Sequence, residues 1–152
     1  MRPVDAANLE AVMNLQVAAG QRRMVSNVER SLAQVAYEPA GRAVAMFSGQ
    51  GEKEQAVGMM LLYDARMDKD KPADQLYVWR IFVDAQHQGR GHGRQAMLWA
   101  VEEARRMGMK SVGLSHRELP GNAGPFYQKL GFRYTGEADD GELKMVLDLE
   151  GA

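Results

Sequence analysis

The sequence predicts a mixed α/β fold in which helices cover a largely antiparallel sheet, and three observations predict it. Apolar-alternating runs bounded by turn residues fill the first half. In the middle, an apolar strand passes through a glycine-studded loop straight into one long amphipathic helix. A hairpin signal closes the chain. The implied order is two helices, a β-meander, a strand–helix–strand unit, a short helix and a final hairpin, which suits helices laid on a sheet. With 152 residues and no internal repeat or Pro/Ser-rich linker, the chain reads as one domain over 1–152.

Each element follows from its own pattern. Residues 5–19 read as a helix because Leu9, Val12, Met13 and Val17 recur on one face. Ser26-Asn27-Val28-Glu29 resembles a capping box and opens a second helix through Ser31, Leu32, Val35 and Ala36. Arg42 to Phe47 reads as a strand, and Ser48-Gly49-Gln50-Gly51 as the turn after it. Val57, Met59, Leu61 and Tyr63 alternate along the hairpin partner, residues 56–63. A charged connection over 66–74 leads into a third strand, 76–83.

The second half is more regular. Residues 91–107 carry Met97, Ala100, Val101, Ala104 and Met107 at helical spacing, and Gly108 stops the helix. A strand over 111–115, a short helix over 125–130 and a strand over 132–136 follow. Asp139-Asp140-Gly141 then turns the chain into a last strand, 142–149.

Composition narrows the function. No run approaches the roughly 20 apolar residues of a membrane span, and the start has no basic segment followed by an apolar stretch, so a cytoplasmic protein with no membrane partner is expected. The chain has no cysteine and only His87, His92 and His116, so no metal is expected. Basic residues number 19 against 20 acidic ones, which argues against a nucleic-acid partner held by bulk charge. Any bound anion must be gripped locally.

One segment offers that grip. Val78-Trp79-Arg80-Ile81-Phe82-Val83-Asp84 leads into Gln88-Gly89-Arg90-Gly91-His92-Gly93-Arg94 and then the long helix. Glycines let successive N–H groups turn towards one point. The helix start adds unpaired N–H groups and partial positive charge, and Arg90 and Arg94 add full charges. Together they make a pyrophosphate cradle. It lacks the Gly-Lys-Ser/Thr of a Walker loop, and its spacing and mid-chain place differ from the dinucleotide fingerprint. The pyrophosphate's bearer stays open on these grounds.

Gln88-Gly89-Arg90-Gly91-His92-Gly93 resembles the Gln/Arg-x-x-Gly-x-Gly/Ala signature of the GCN5-related N-acetyltransferase (GNAT) superfamily. Trp79 to Asp84, Leu114-Ser115, Phe126-Tyr127-Gln128-Lys129-Leu130-Gly131-Phe132, Thr135-Gly136-Glu137 and Gly141-Glu142 resemble its bacterial spermine/spermidine (diamine) acetyltransferase-like branch. The likeness spans nearly the whole chain. It implies a mostly antiparallel, splayed sheet of about six to seven strands flanked by about four helices, and acetyl-CoA as co-substrate.

The resemblance implies further that backbone atoms of Ile81, Phe82 and Val83 receive the pantetheine arm in the manner of an added strand. Gln88, Gly89, Arg90, Gly91, His92, Gly93 and Arg94 would hold the pyrophosphate, and Lys129 the nucleotide end. Asn122 would contact the cofactor, although its interval to Tyr127 is shorter than the family's usual one. Tyr127 would be the catalytic acid, since a phenol can protonate a departing thiolate. The family's usual first strand has only a few residues before the first helix, so that edge is expected to fray or to be covered by a second subunit; a homodimer is implied.

The acceptor is less legible. An alkyl amine must lose a proton before attack, and Glu29, Glu38, Asp64 and Glu118 are the candidate acceptors of it. Tyr77, Trp79 and Arg80 are candidates to shape the acceptor side, Ser115 and His116 lie at a strand end beside the cleft, and His116 reads as a loop histidine. The branch implies a polyamine such as spermidine or spermine, attacking directly in a ternary complex. An aminoglycoside-like or protein amine, a non-catalytic acyl-CoA-binding protein, and a nucleic-acid module built on Arg90, Arg94, Arg105 and Arg106 are the alternatives. Glu102 and Glu103 interrupt the last of these.

Overall fold

The computed structural model describes residues 1–16, 28–68, 74–117 and 123–149. Its strands are β1 (Arg2–Pro3), β2 (Gly41–Ser48), β3 (Gln55–Asp64), β4 (Gln75–Val83), β5 (Ser111–Arg117), β6 (Arg133–Asp139) and β7 (Glu142–Asp148). The α-helices are α1 (Leu9–Met13), α2 (Val28–Ala36), α3 (His92–Arg106) and α4 (Gly124–Lys129). The seven strands form one sheet in the order β1-β2-β3-β4-β5-β7-β6. Only β4 and β5 run parallel; every other neighbouring pair is antiparallel. The mixed α/β class and the mostly antiparallel sheet agree with the expectation.

Three details differ from it. The first strand is present: Arg2 and Pro3 pair with Ala45 and Val44 of β2. Within the described residues the first helix spans only Leu9–Met13, because the Asp5 carboxylate accepts from the N–H groups of Ala7 and Asn8 and sets a local turn in place of a helical one. The expected end of that helix, residues 17–19, and the Ser26-Asn27 start of α2 lie outside the described residues, as do 69–73 of the charged connection. Strand β3 is buried on both faces, not one: Met59 and Leu61 pack towards α1 and α2, and Met60 and Leu62 towards α3. Such a central strand tolerates an unbroken apolar run.

Two cores result. Met97, Ala100, Val101 and Ala104 of α3 pack on Leu76, Val78, Val112 and Leu114. On the other face, Val12, Leu15 and Val28 pack on Met59, Leu61 and Phe82. Each fully buried side chain of this size contributes roughly 1.5–3 kcal/mol, so α3 is fixed firmly to β4 and β5. Both backbone bonds of a helix stop, Gly108 N–H to Arg105 (3.0 Å) and Met109 N–H to Ala104 (2.9 Å), end α3. Among the described residues no helix is long and apolar enough to cross a membrane.

Candidate active site

The site starts where β4 and β5 part. They pair only from Gln75 and Ser111 to Val78 and Leu114, yet β4 runs on to Val83 and β5 to Arg117. At the parting point β4 carries a bulge: Leu61 pairs with Arg80 and Leu62 with Val78, leaving Trp79 as the extra residue. A bulge bends and twists its strand, which carries the second half of β4 away from β5. Residues 80–83 remain paired to β3 on one side and open towards β5 on the other. Ile81, Phe82 and Val83 therefore stand on the open edge, with the Phe82 side chain buried towards α1 and α2.

The cradle follows directly. Asp84 accepts from the N–H groups of Gln16 (2.9 Å) and Gln86 (3.3 Å) and pairs with His87 Nδ1 at 3.0 Å. Burial alone would raise its pKa, but those hydrogen bonds and the His87 charge outweigh it and hold the carboxyl below its usual range. The Gln88 amide donates to the Val83 carbonyl (3.2 Å). Gly89 and Gly91 then take φ of +78° and +84°, and a Cβ added at either would meet nothing within 4 Å. The second of them begins α3 without a side-chain cap, so the first-turn N–H groups of His92, Gly93 and Arg94 have no intrahelical acceptor. Gln88, Arg90 and Arg94 are exposed around this open concavity. Left-handed glycines with open space beside them and a helix start with unpaired N–H groups are the features that suit a diphosphate.

Tyr127 lies beside β5, its ring 6.4 Å from that of His116. It shares a packed cluster with Val78 and Leu114, the last residues paired before the strands part. Pro125 near the start of α4 suits the fixed backbone there, and Phe132 N–H bonds the Tyr127 carbonyl at 3.1 Å. The ring lies 5.2 Å from that of Phe126 and 6.0 Å from that of Phe132. Only 7% of the residue is exposed, and burial pushes the phenol up to about 12. It is thus a proton holder at any ordinary pH. His116 is not in a loop: it belongs to β5, is 9% exposed, and lies 6.4 Å from the Tyr127 ring. Its Nδ1 donates to the Arg117 carbonyl (3.0 Å), and its Nε2 shares a hydrogen bond with the Tyr134 hydroxyl at 2.9 Å.

The opposite face of the opening carries different chemistry. The bulge puts Trp79 and Arg80 together on the α2 side. Tyr77 lies there too, and its hydroxyl bonds that of Ser115 across the vertex. Register puts Glu142 of β7 opposite Arg117, on the face shared with Ser115. Glu142 is the carboxylate that sequence reading passed over. Its face depends on the β5–β7 register, which a bulged β6–β7 hairpin conceals.

The other expected residues separate. Asp64 lies at the far end of β4, beside Leu76, and its carboxyl is held low mainly by the Arg66 side-chain hydrogen bond, which outweighs burial. Glu38 accepts from Ala40 N–H in the turn after α2. Glu29 is in the first turn of α2 and exposed. Lys129 is exposed on α4. Asn122 and Glu118 lie outside the described residues.

The described residues thus combine a parted parallel strand pair, a glycine-rich turn at the next helix start and a buried phenol beside β5. Residues 10–132 match the model of the acetyltransferase (GNAT) family, and the chain belongs to that family. It is an acetyl-CoA-dependent N-acetyltransferase. Among curated relatives, the spermine/spermidine N(1)-acetyltransferase of Bacillus subtilis is 26% identical over 98% of this chain and 97% of its own length. A domain from Methanocaldococcus jannaschii superposes with a TM-score of 0.76 at 14% identity, covering 97% of this chain and 96% of that one. Spermidine N-acetyltransferase from Vibrio cholerae, solved with CoA and spermine, gives a TM-score of 0.70 at 16% identity, covering 97% and 93%.

Proposed function

We propose that this chain moves the acetyl group of acetyl-CoA onto the primary amine of a small molecule, by direct attack in a ternary complex. The observation that carries the reading is the coincidence of three features: β4 and β5 part at Val78 and Leu114, the cradle begins one turn after β4 ends, and the buried Tyr127 packs beside His116 of β5. The open edge at Ile81, Phe82 and Val83 suits an extended amide-containing arm. Gln88 to Arg94 suit its diphosphate, and Lys129 its nucleotide end. Asn122 stays part of this set through the family pattern alone.

The bound co-substrate supplies an activated acetyl group as a thioester. The chain's own work is to hold, to orient and to move protons. Tyr127, neutral because it is buried, offers its hydroxyl proton to the departing sulfur. Glu142, the carboxylate on the far face, suits an incoming ammonium and its proton, directly or through water. Ser115 and Tyr77 fix the vertex between them.

A polyamine acceptor is favoured by the names of the relatives, of which the Bacillus protein is 26% identical. The family resemblance carries over one catalytic domain and a homodimer. Thiol release from acetyl-CoA, measured over a panel of polyamines, amino acids, aminoglycosides and peptides, tests the reading. Release with at least one small amine is expected; acetyl-CoA binding with no transfer to any amine would leave an acyl-CoA-binding protein instead.

A further inference from the structure

Among the described residues, one guanidinium on the acceptor face of the opening bonds neutral groups through Nη1 and forms no ion pair through its other edge. Arg80 stands on β4 just past the bulge, where pairing with β5 has ended. Its Nη1 donates to Ser31 Oγ (3.1 Å) and to Gln34 Oε1, both on α2. Ser31 is fully buried, and the Arg80 guanidinium lies over the Trp79 ring, 5.3 Å from its centroid. The side chain is therefore held in one place from two sides.

A guanidinium has five N–H donors. The two on Nη1 are spent on Ser31 and Gln34. The Nε and Nη2 donors form the other edge, the one that takes a carboxylate in paired, planar fashion. Among the described residues no carboxylate forms an ion pair with Arg80. Its partners are neutral, which is an unusual setting for a half-buried cation. Burial accordingly lowers its pKa, opposed by the field of Glu142 and reinforced by that of Arg30. Arg117 adds another positive group on this face, opposite Glu142. Lys144, on the same face, pairs with Glu137 at 3.6 Å. Among the described residues, a polycation entering here would meet Arg80 and Arg117, with Glu142 opposite Arg117 and Glu137 already paired to Lys144.

We propose that Arg80, braced by Ser31, Gln34 and Trp79, is a carboxylate subsite, so that the amine this chain acetylates belongs to an amino acid or similar amino carboxylate and not to a polyamine. Glu142 across the opening receives the ammonium while Arg80 receives the carboxylate. The inference rests on the acetyl-transfer reading and decides between its acceptors.

The test uses pairs that differ only by the carboxylate: lysine against cadaverine and alanine against ethylamine, with spermidine alongside. Thiol release by the full chain should give kcat/KM at least about tenfold higher for the carboxylate-bearing member, the size of one charge-assisted bond. Arg80→Gln should raise KM for lysine about tenfold more than for cadaverine, with kcat far less affected, and Arg80→Lys should restore part of the difference. A purely bracing role would lower both members alike. Calorimetry with CoA checks that each variant is folded; if Arg80→Gln does not fold, the wild-type ratios decide. Cadaverine, ethylamine or spermidine used as well as the amino acids, or an unchanged preference in a folded Arg80→Gln, overturns the subsite while acetyl transfer stands. Acetyl-CoA binding without thiol release for any member removes the acetyl-transfer reading and this proposal together.

Discussion

Replacing Gly91 by alanine isolates the cradle's backbone from everything else. The residue has φ of +84°, and a Cβ there would touch nothing within 4 Å. The substitution thus adds no clash; it adds only the cost of a left-handed L-residue, roughly 1–2 kcal/mol. Because the loop is exposed, the free protein can relax out of that conformation. Binding must then restore it, so the cost falls on affinity, a factor of roughly 5–30 in Kd for CoA. Gly108→Ala is the matched control: φ is +76°, with the same empty surroundings. It caps the opposite end of the 15-residue α3, roughly 22 Å away along the axis. Calorimetry with CoA should show the loss for Gly91→Ala alone, while both variants keep cooperative unfolding. Equal CoA affinity in the two variants would refute the reasoning.

Tyr127→Phe should lower turnover on the order of 10²-fold, the usual value of a positioned proton donor, with acetyl-CoA affinity little changed; thiol release under saturating conditions and calorimetry read the two. The same side chain makes an alkaline prediction. Its folded pKa is raised from 10.0 to about 12, so its contribution is complete below pH ~10 and is lost as pH rises through 12, on the order of 3 kcal/mol in all. Urea midpoints taken over that range should fall less steeply for Tyr127→Phe. Asp84, held below the usual carboxylate range, behaves in the opposite sense: its contribution is present above the ordinary value of 3.8 and is lost as pH falls. Asp84→Asn should cost about 1 kcal/mol at neutral pH and flatten the acid side of the stability curve, checked by urea unfolding at pH 7 and in acid.

The parts of the fold written in local pattern were legible. Val78 to Val83, the three glycines and the apolar stripe of α3 predict a strand, a cradle and a helix, because period, glycine freedom and helix termination are properties of neighbours in sequence. What depends on tertiary partners was not. Arg2 and Pro3 have no pattern of their own and form β1 only because β2 offers an edge. His116 reads as a loop residue after a short strand, yet pairing with Leu143 of β7 extends β5 to Arg117. Glu142 is indistinguishable from a hairpin-surface acid until register sets it beside the opening. The bulge at Trp79 is the sharpest case. One extra residue puts Trp79 and Arg80 on the same face and parts the strands, and nothing in the alternation of residues 76–83 announces it.

The central claim is that one continuous stretch of backbone, the open edge of β4 and the turn that follows, receives the thioester-bearing co-substrate. Amide hydrogen exchange with and without acetyl-CoA measures this directly, since it reports on N–H groups irrespective of side chains. The account predicts slowed exchange confined largely to residues 79–83 and 88–94, with α2 and β2 unaffected. Saturating acetyl-CoA with no slowing in either stretch, or slowing centred elsewhere on the sheet, would contradict it.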